Sequence, residues 1–265
     1  MTDTSFIHKN SKIHSSCKVG PFCYIGEDVE IAEDCELLSH VVIKGPCKIG
    51  PNNKFFQFCT IGEDTPDKKF KGEKTQLHIG SNNIFREGFT AHRGTIQDNS
   101  STTIKDNNLF MAYSHVAHDC IVGSNNVFAN NCGIAGHVKV GNNVTLGAVS
   151  LVHQFCNIGD YAFTGLNSVI TMDVPAFVKV ASNPAKPVGL NSIGMQRGGI
   201  SDDEIKLLKK AYRILYRDGN LLKEAISKIN ELDNNKSILK IFIDSIENSS
   251  SCLLYTSPSP RDQEA

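Results

Sequence analysis

The stretch Val122-Gly123-Ser124-Asn125-Asn126-Val127-Phe128-Ala129-Asn130-Asn131-Cys132-Gly133-Ile134 carries an apolar side chain at every sixth position, at Val122, Phe128 and Ile134. The phase extends backward through Val116, Phe110 and Ile104, and forward through Val140, Leu146, Val152, Ile158, Thr164 and Ile170, with only Thr164 polar. An earlier run in the same period goes from Ile7 through Ile13, Val19, Ile25, Ile31, Leu37, Ile43, Ile49 and Phe55 to Ile61, and the phase resumes briefly at Ile79 and Phe85. A fixed internal period of this kind marks a solenoid, in which each repeat buries its apolar residue on its neighbours. Three hexads make one triangular coil of eighteen residues, and coils stack as parallel strands about 4.8 Å apart. Glycine often follows the key apolar residue, as at Gly20, Gly123, Gly141 and Gly147. A permissive backbone is expected where the chain turns a corner.

Nine cysteines invite a metal or disulfide reading. Their number is odd, there is no C-x-x-C pair, and eight of them (Cys17, Cys23, Cys35, Cys47, Cys59, Cys120, Cys132 and Cys156) fall two residues before a key position. One shared slot predicts small fillers of a narrow interior rather than ligands. The composition, 40% hydrophobic and 21% charged over 265 residues, is that of a folded globular chain. With a formal net charge of −1 there is no basic field to call for nucleic acid, and an anionic ligand has to be met by a local cluster. The N-terminus lacks a basic region followed by an apolar one, and no window approaches 18 uninterrupted apolar residues. A cytoplasmic protein without membrane insertion is expected.

Two polar segments break the period, at about 63–76 and 94–103, and loops inserted in a solenoid often carry function. The β-helix is expected to span 1–190 and a small helical C-terminal domain 191–251. Ser201-Asp202-Asp203-Glu204 reads as a capping box ahead of Ile205, Leu208, Ala211 and Leu215 at helical spacing. Further helices fit 221–232 and 237–247. Residues 252–265 are low in complexity and are read as a non-native or disordered tail.

The strongest local signal for chemistry is Ala112-Tyr113-Ser114-His115-Val116-Ala117-His118-Asp119-Cys120, where two histidines and an aspartate stand in a coil. Three readings apply: a zinc site, solvated surface histidines, or catalysis. The two-residue separation of the histidines is short for the zinc-binding hexapeptide pattern, so no metal is assigned. Histidine titrates near neutral pH and suits a general base, for which His118 is the candidate. One coil beyond it lies Gly136, whose N–H could hold an oxyanion. Successive strand residues point to opposite sides, so pairing of His118 with Asp119 requires a corner.

These residues carry a specific resemblance. The segments Ala91-His92-Arg93-Gly94-Thr95, His115 to Asp119, Ile134-Ala135-Gly136-His137 and Val152-His153-Gln154-Phe155-Cys156 are similar to those of the UDP-N-acetylglucosamine O-acyltransferases of lipid A biosynthesis, hexapeptide-repeat transferases. The match runs to about Ser251. It implies a left-handed parallel β-helix, mainly β with a small α-helical C-terminal domain, assembled as a homotrimer with active sites between subunits. It also implies transfer of a 3-hydroxyacyl group from acyl carrier protein to the sugar's 3-hydroxyl, with acyl carrier protein as co-substrate and no cofactor. In that reaction His118 takes the hydroxyl proton, Asp119 orients it, and Gly136 N–H stabilises the tetrahedral intermediate. By the same resemblance Asp67, Lys69, His92, His115, His137, His153 and Gln154 match substrate-contact positions, Asn191 and Arg197 positions that bind the sugar nucleotide, and Leu166 the residue that closes the acyl groove. Ile193 and Gly198 depart from it, standing where many relatives carry an acidic and a second basic residue. The basic face of the first long C-terminal helix, including Lys209 and Lys210, suits an acidic carrier protein. The alternatives are a related N-acyltransferase, which usually adds an N-terminal globular domain before its hexads, and a non-catalytic scaffold.

Overall fold

The structure, a computed structural model, describes residues 4–232 and 237–249. The expected tail at 252–265 lies outside the described residues. Among the described residues three sheets of nine, eight and ten strands form the faces of a prism; their strands run parallel, each pairing with the one three strands later in sequence, except at the end of the ten-stranded sheet. Val116, Ile134, Val152 and Ile170 stand in register on one face. Most strands are two residues long, with the key residue buried and its predecessor facing out. A rectilinear stack of Phe55, Phe85, Phe110 and Phe128 fills one edge of the interior, with ring centroids 4.8–5.1 Å apart.

The corners are built differently from the sequence expectation. Of the ten glycines that follow a key residue, only Gly62 takes a positive φ, 72°. The left-handed residue sits three places before the key position and is usually polar: Asp119 (φ 59°), Asn125 (61°), Asn131 (59°), His137 (63°) and Asn143 (58°). Asn and Asp adopt this region more readily than other side chains because they bond locally. The glycines serve close stacking instead. A Cβ at Gly123 would come 2.4 Å from Gly141 O, and one at Gly147 would come 2.5 Å from Thr164 O.

The cysteine slot also does more than fill space. The thiols of Cys17, Cys23, Cys35, Cys120 and Cys132 each donate to the carbonyl fifteen residues ahead, at 2.9–3.2 Å. Continuing the column of Cys17 and Cys35, Asn53, Asn83, Asn108 and Asn126 form a buried ladder in the same slot, each accepting a backbone N–H from the next coil. Carbonyls and amides that a two-residue strand leaves unpaired are thereby satisfied. Burial pushes the Cys47, Cys59 and Cys120 thiols up to about 12, so they stay protonated.

Ala91 occupies a key position between the two insertions, facing Ile61 and Val116. Its small side chain hides it from a search for large apolar residues. Both inserted loops leave the nine-stranded face and enter the eight-stranded one, on successive coils of the same edge, one between strands Thr60–Glu63 and Gln76–Ile79, the other between Thr90–His92 and Ser101–Ile104. After Val178–Ala181, the strand Lys186–Leu190 folds back antiparallel and closes the stack. Among the described residues four helices follow: α1 (Ser192–Arg197), α2 (Asp202–Tyr216), α3 (Leu222–Asn230) and α4 (Ser237–Glu247). The Ser201–Glu204 capping box forms at the start of α2. Helix α4 is pinned to the last coils where Ala176 N–H donates to Ser245 Oγ (2.9 Å) and Ser249 Oγ donates to Asp173 (2.7 Å). Among the described residues no helix is long and apolar enough to cross a membrane.

Candidate active site

Asp119 is a corner residue, and its left-handed backbone turns its carboxylate back toward the preceding side chain. His118 Nδ1 lies 2.8 Å from Asp119 Oδ2, so two sequence neighbours become a hydrogen-bonded pair. The carboxylate is buried and holds two more donors, Thr95 N–H to Oδ1 at 2.8 Å and the Thr95 hydroxyl to Oδ2 at 2.7 Å. Burial alone would raise its pKa. The donors from His118 and Thr95 outweigh that and hold it below the usual aspartate range. An ionised Asp119 accepts a hydrogen bond from His118 Nδ1–H, which leaves the Nε2 lone pair to take up a proton.

Gly136 stands one coil beyond His118, at the expected spacing. It is not a corner residue; His137 is, with φ 63°. A Cβ at Gly136 would meet His118 Cε1 at 2.6 Å and Nε2 at 2.8 Å, so glycine is required by the imidazole that lies against it. Its N–H donates to no acceptor among the described residues, whereas the equivalent N–H groups of Ser124 and Asn142 on another edge are capped by side chains of the next coil. A buried, unpaired N–H beside a histidine with a free lone pair can stabilise an oxygen that acquires charge as a proton is removed.

Both inserted loops fold over this pair and close a cavity of about 640 Å³ lined by Asp67, Lys69, Thr95, Asp98, His118, His137 and Gln154 among others. The structure thus brings together Asp67, Lys69, His118, His137 and Gln154, with Asp119 and Gly136 directly behind. His137 Nδ1 lies 2.9 Å from Asp98 Oδ2, and its ring stacks on Phe155 with centroids 4.5 Å apart. His92 and His115 lie below on the same face, rings edge to face at 5.0 Å, and His115 Nδ1 lies 2.7 Å from Thr90 Oγ1. Burial holds His115 down to about 4 and lowers His92. Both are neutral at pH 7.

His153 is exposed beside the cavity rim. Leu166 is 72% exposed and follows a strand of a different sheet, so it stands at another edge of the prism. Asn191 caps α1, accepting from Gly194 N–H at 3.1 Å and donating to Tyr161 O at 2.9 Å, and Arg197 projects from the last turn of that short helix. In one chain these four residues are not gathered around His118.

Sequence reading assigned no role to Arg93 and Thr95, although they stand in a segment that carries the resemblance, and did not single out Asp98. Arg93 is buried and donates to Gly45 O (2.8 Å), Gly62 O (2.7 Å) and the Asp64 carboxylate, tying the roots of both loops together. The broken period at 94–103 was the available signal. The oxygen and nitrogen donors of His118, Asp119 and His137 come within 4.8 Å of one another. The Asp119 oxygens in that group are already engaged by Thr95 and His118.

Residues 173–253 match the model of the family described as Udp N-acetylglucosamine O-acyltransferase, domain 2, and residues 101–136 match the bacterial transferase hexapeptide family. The chain is 48% identical over 204 residues to the acyl-[acyl-carrier-protein]–UDP-N-acetylglucosamine O-acyltransferase of Stutzerimonas stutzeri, covering 77% of this chain and 79% of the relative. It is 45% identical to a UDP-N-acetylglucosamine O-acyltransferase structure from Moraxella catarrhalis, with a TM-score of 0.92 and 96% and 98% of the two chains covered. A Francisella novicida UDP-N-acetylglucosamine acyltransferase structure gives 0.93 at 37% identity, covering 100% and 96%. The prism is a left-handed parallel β-helix, as the resemblance implied.

Proposed function

Because the chain belongs to the family of acyl-[acyl-carrier-protein]–UDP-N-acetylglucosamine O-acyltransferases, we propose that it transfers a 3-hydroxyacyl group from acyl carrier protein to the 3-hydroxyl of UDP-N-acetylglucosamine, the first step of lipid A biosynthesis. The observation that carries the mechanism is the triple contact Asp119–His118–Gly136. The donor's thioester oxygen sits on Gly136 N–H, and His118 Nε2 removes the proton as the sugar oxygen attacks the carbonyl carbon. The tetrahedral intermediate collapses by breaking the carbon–sulfur bond, and the imidazolium returns the proton to the carrier's thiolate. Asp119 stays ionised throughout and balances the imidazolium.

The cavity built by Asp67, Lys69 and Gln154 receives the substrates, and no cofactor enters this scheme. The reading includes a cytoplasmic homotrimer, in which another subunit would bring some of His153, Leu166, Asn191 and Arg197 to the groove around His118. The test is acyl transfer from a panel of acyl carrier protein thioesters to UDP-N-acetylglucosamine. Wild type is expected to transfer, and His118→Ala to lose roughly 10²- to 10⁴-fold in turnover while remaining folded. Gly136→Ala, whose methyl collides with the imidazole, should lose a comparable factor. Near wild-type turnover in His118→Ala refutes the mechanism.

A further inference from the structure

The second inserted loop does not line the cavity passively. It leaves the prism after His92, returns at Ser101, and in between lays Thr95 against the buried carboxylate of Asp119. We propose that Thr95 is a positioning residue for the acyl transfer, acting on the base His118 through Asp119.

Asp119 has two oxygens and, if free to rotate about its side-chain torsions, could present either to His118 or withdraw both. Thr95 removes that freedom by occupying both oxygens at once: the N–H fixes Oδ1 (2.8 Å) and the hydroxyl fixes Oδ2 (2.7 Å). Oδ2 is the oxygen that faces His118 Nδ1 at 2.8 Å. The carboxylate is therefore clamped in the plane that sets the ring's rotation. From the other side Asp119 N–H donates to Thr102 Oγ1 at 2.8 Å, on the strand where the loop rejoins the prism, so backbone and side chain are held by one insertion. The loop itself is anchored. Gly94 N–H donates to Gln76 O at 3.2 Å, and Arg93 is buried among carbonyls of Gly45 and Gly62. A rigid clamp of this kind does two things for a general base. It keeps the proton on Nδ1, so that Nε2 carries the lone pair, and it keeps Nε2 against Gly136, where the oxyanion donor is fixed. Misplacement of a catalytic group by about 1 Å can cost about 100-fold, although the residue responsible touches no substrate.

The inference rests on the proposed role of His118, and the experiment separates the two. Thr95→Val keeps the side-chain shape and the backbone N–H but deletes the hydroxyl; Thr95→Ser restores the hydroxyl. Steady-state kinetics are measured for both, with His118→Ala in parallel, and thermal melting reports whether each variant is folded. The expected result is that kcat of Thr95→Val falls about 10- to 100-fold, KM for UDP-N-acetylglucosamine and for the acyl carrier protein thioester changes less than about twofold, and Thr95→Ser recovers most of kcat. The low-field Nδ1–H resonance of His118 should weaken in Thr95→Val and return in Thr95→Ser. If Thr95→Val is folded and turns over like wild type while His118→Ala is dead, Thr95 positions nothing and the base reading stands. If His118→Ala itself turns over normally, the base reading fails and the inference with it. Equal losses in Thr95→Val and Thr95→Ser, or a loss confined to KM, show a packing or binding role and overturn the proposal.

Discussion

A residue in this protein is defined by its place in the hexad, and that place decides its chemistry more than its type does. His115 and His118 are three residues apart, yet one is half-buried on a sheet face and the other lies at a corner against Gly136. His115 is held down to about 4 chiefly by burial, then by the neighbouring His92. In the unfolded chain it protonates near 6.5, so the unfolded state binds the extra proton first as pH falls. Stability is therefore complete above about 6.5, declines between there and about 4, and levels below. The shift is of order 3 kcal/mol at pH 4. Melting temperatures measured from pH 7 to 4 should fall more steeply for wild type than for His115→Gln. Parallel curves would show that His115 is charged without penalty in the folded protein.

At the scale of the element, a strand of two residues cannot saturate its own hydrogen bonds, and the interior slot two places before each key residue does it instead. Asn126 shows the arrangement most fully: its Oδ1 accepts Val144 N–H at 2.7 Å, its Nδ2 donates to Gly141 O at 2.9 Å, and its own N–H is held by Asn108. Asn126→Ala strands one amide and one carbonyl in the core. Each unsatisfied buried group costs about 1–3 kcal/mol, so the variant should be destabilised by roughly 2–6 kcal/mol, a large share of a domain's usual margin. Urea or thermal unfolding measures it. A change below about 1 kcal/mol would mean that water or a shifted neighbour replaces the amide.

The whole molecule pairs a rigid prism with a small helical cap, and each has its own expected contact. Helix α2 buries Ile205, Leu208, Ala211 and Leu215 and leaves Lys209 and Lys210 exposed, while Lys206 and Arg213 are paired with Asp203 and Asp218. Reversing Lys209 and Lys210 to Glu should raise KM for an acidic acyl carrier protein and leave that for UDP-N-acetylglucosamine unchanged; an equal rise in both rules out docking there. Leu166 stands at a different edge from His118, and the proposed trimer is what lets one subunit's edge complete another's groove. Forcing a methylene into a filled site costs about 1–3 kcal/mol against the 0.8 or so gained by burying it. Wild type should accordingly favour donors of roughly ten or twelve carbons over fourteen, and Leu166→Gly should accept longer ones. An unchanged optimum in that variant would show that Leu166 sets no limit.

The sequence by itself determined the architecture, because a sixfold period constrains every side chain at once: it placed the core from Ile7 to Ile170, the shared cysteine slot, the two loops, and Gly136 one coil from His118. It left the corners wrong. Glycine's freedom suggested a turn after each key residue, whereas stacked backbones need glycine there for clearance and the turn falls on Asp119, Asn125 and His137. Only the tertiary structure could decide how the site is held. Thr95 and Asp98 sit in a segment with no period to read, 24 and 39 residues from the Asp119 and His137 that they bind. Contacts across that distance are fixed by where a loop lands on the prism, and Arg93, buried at the root of both insertions, sets that landing.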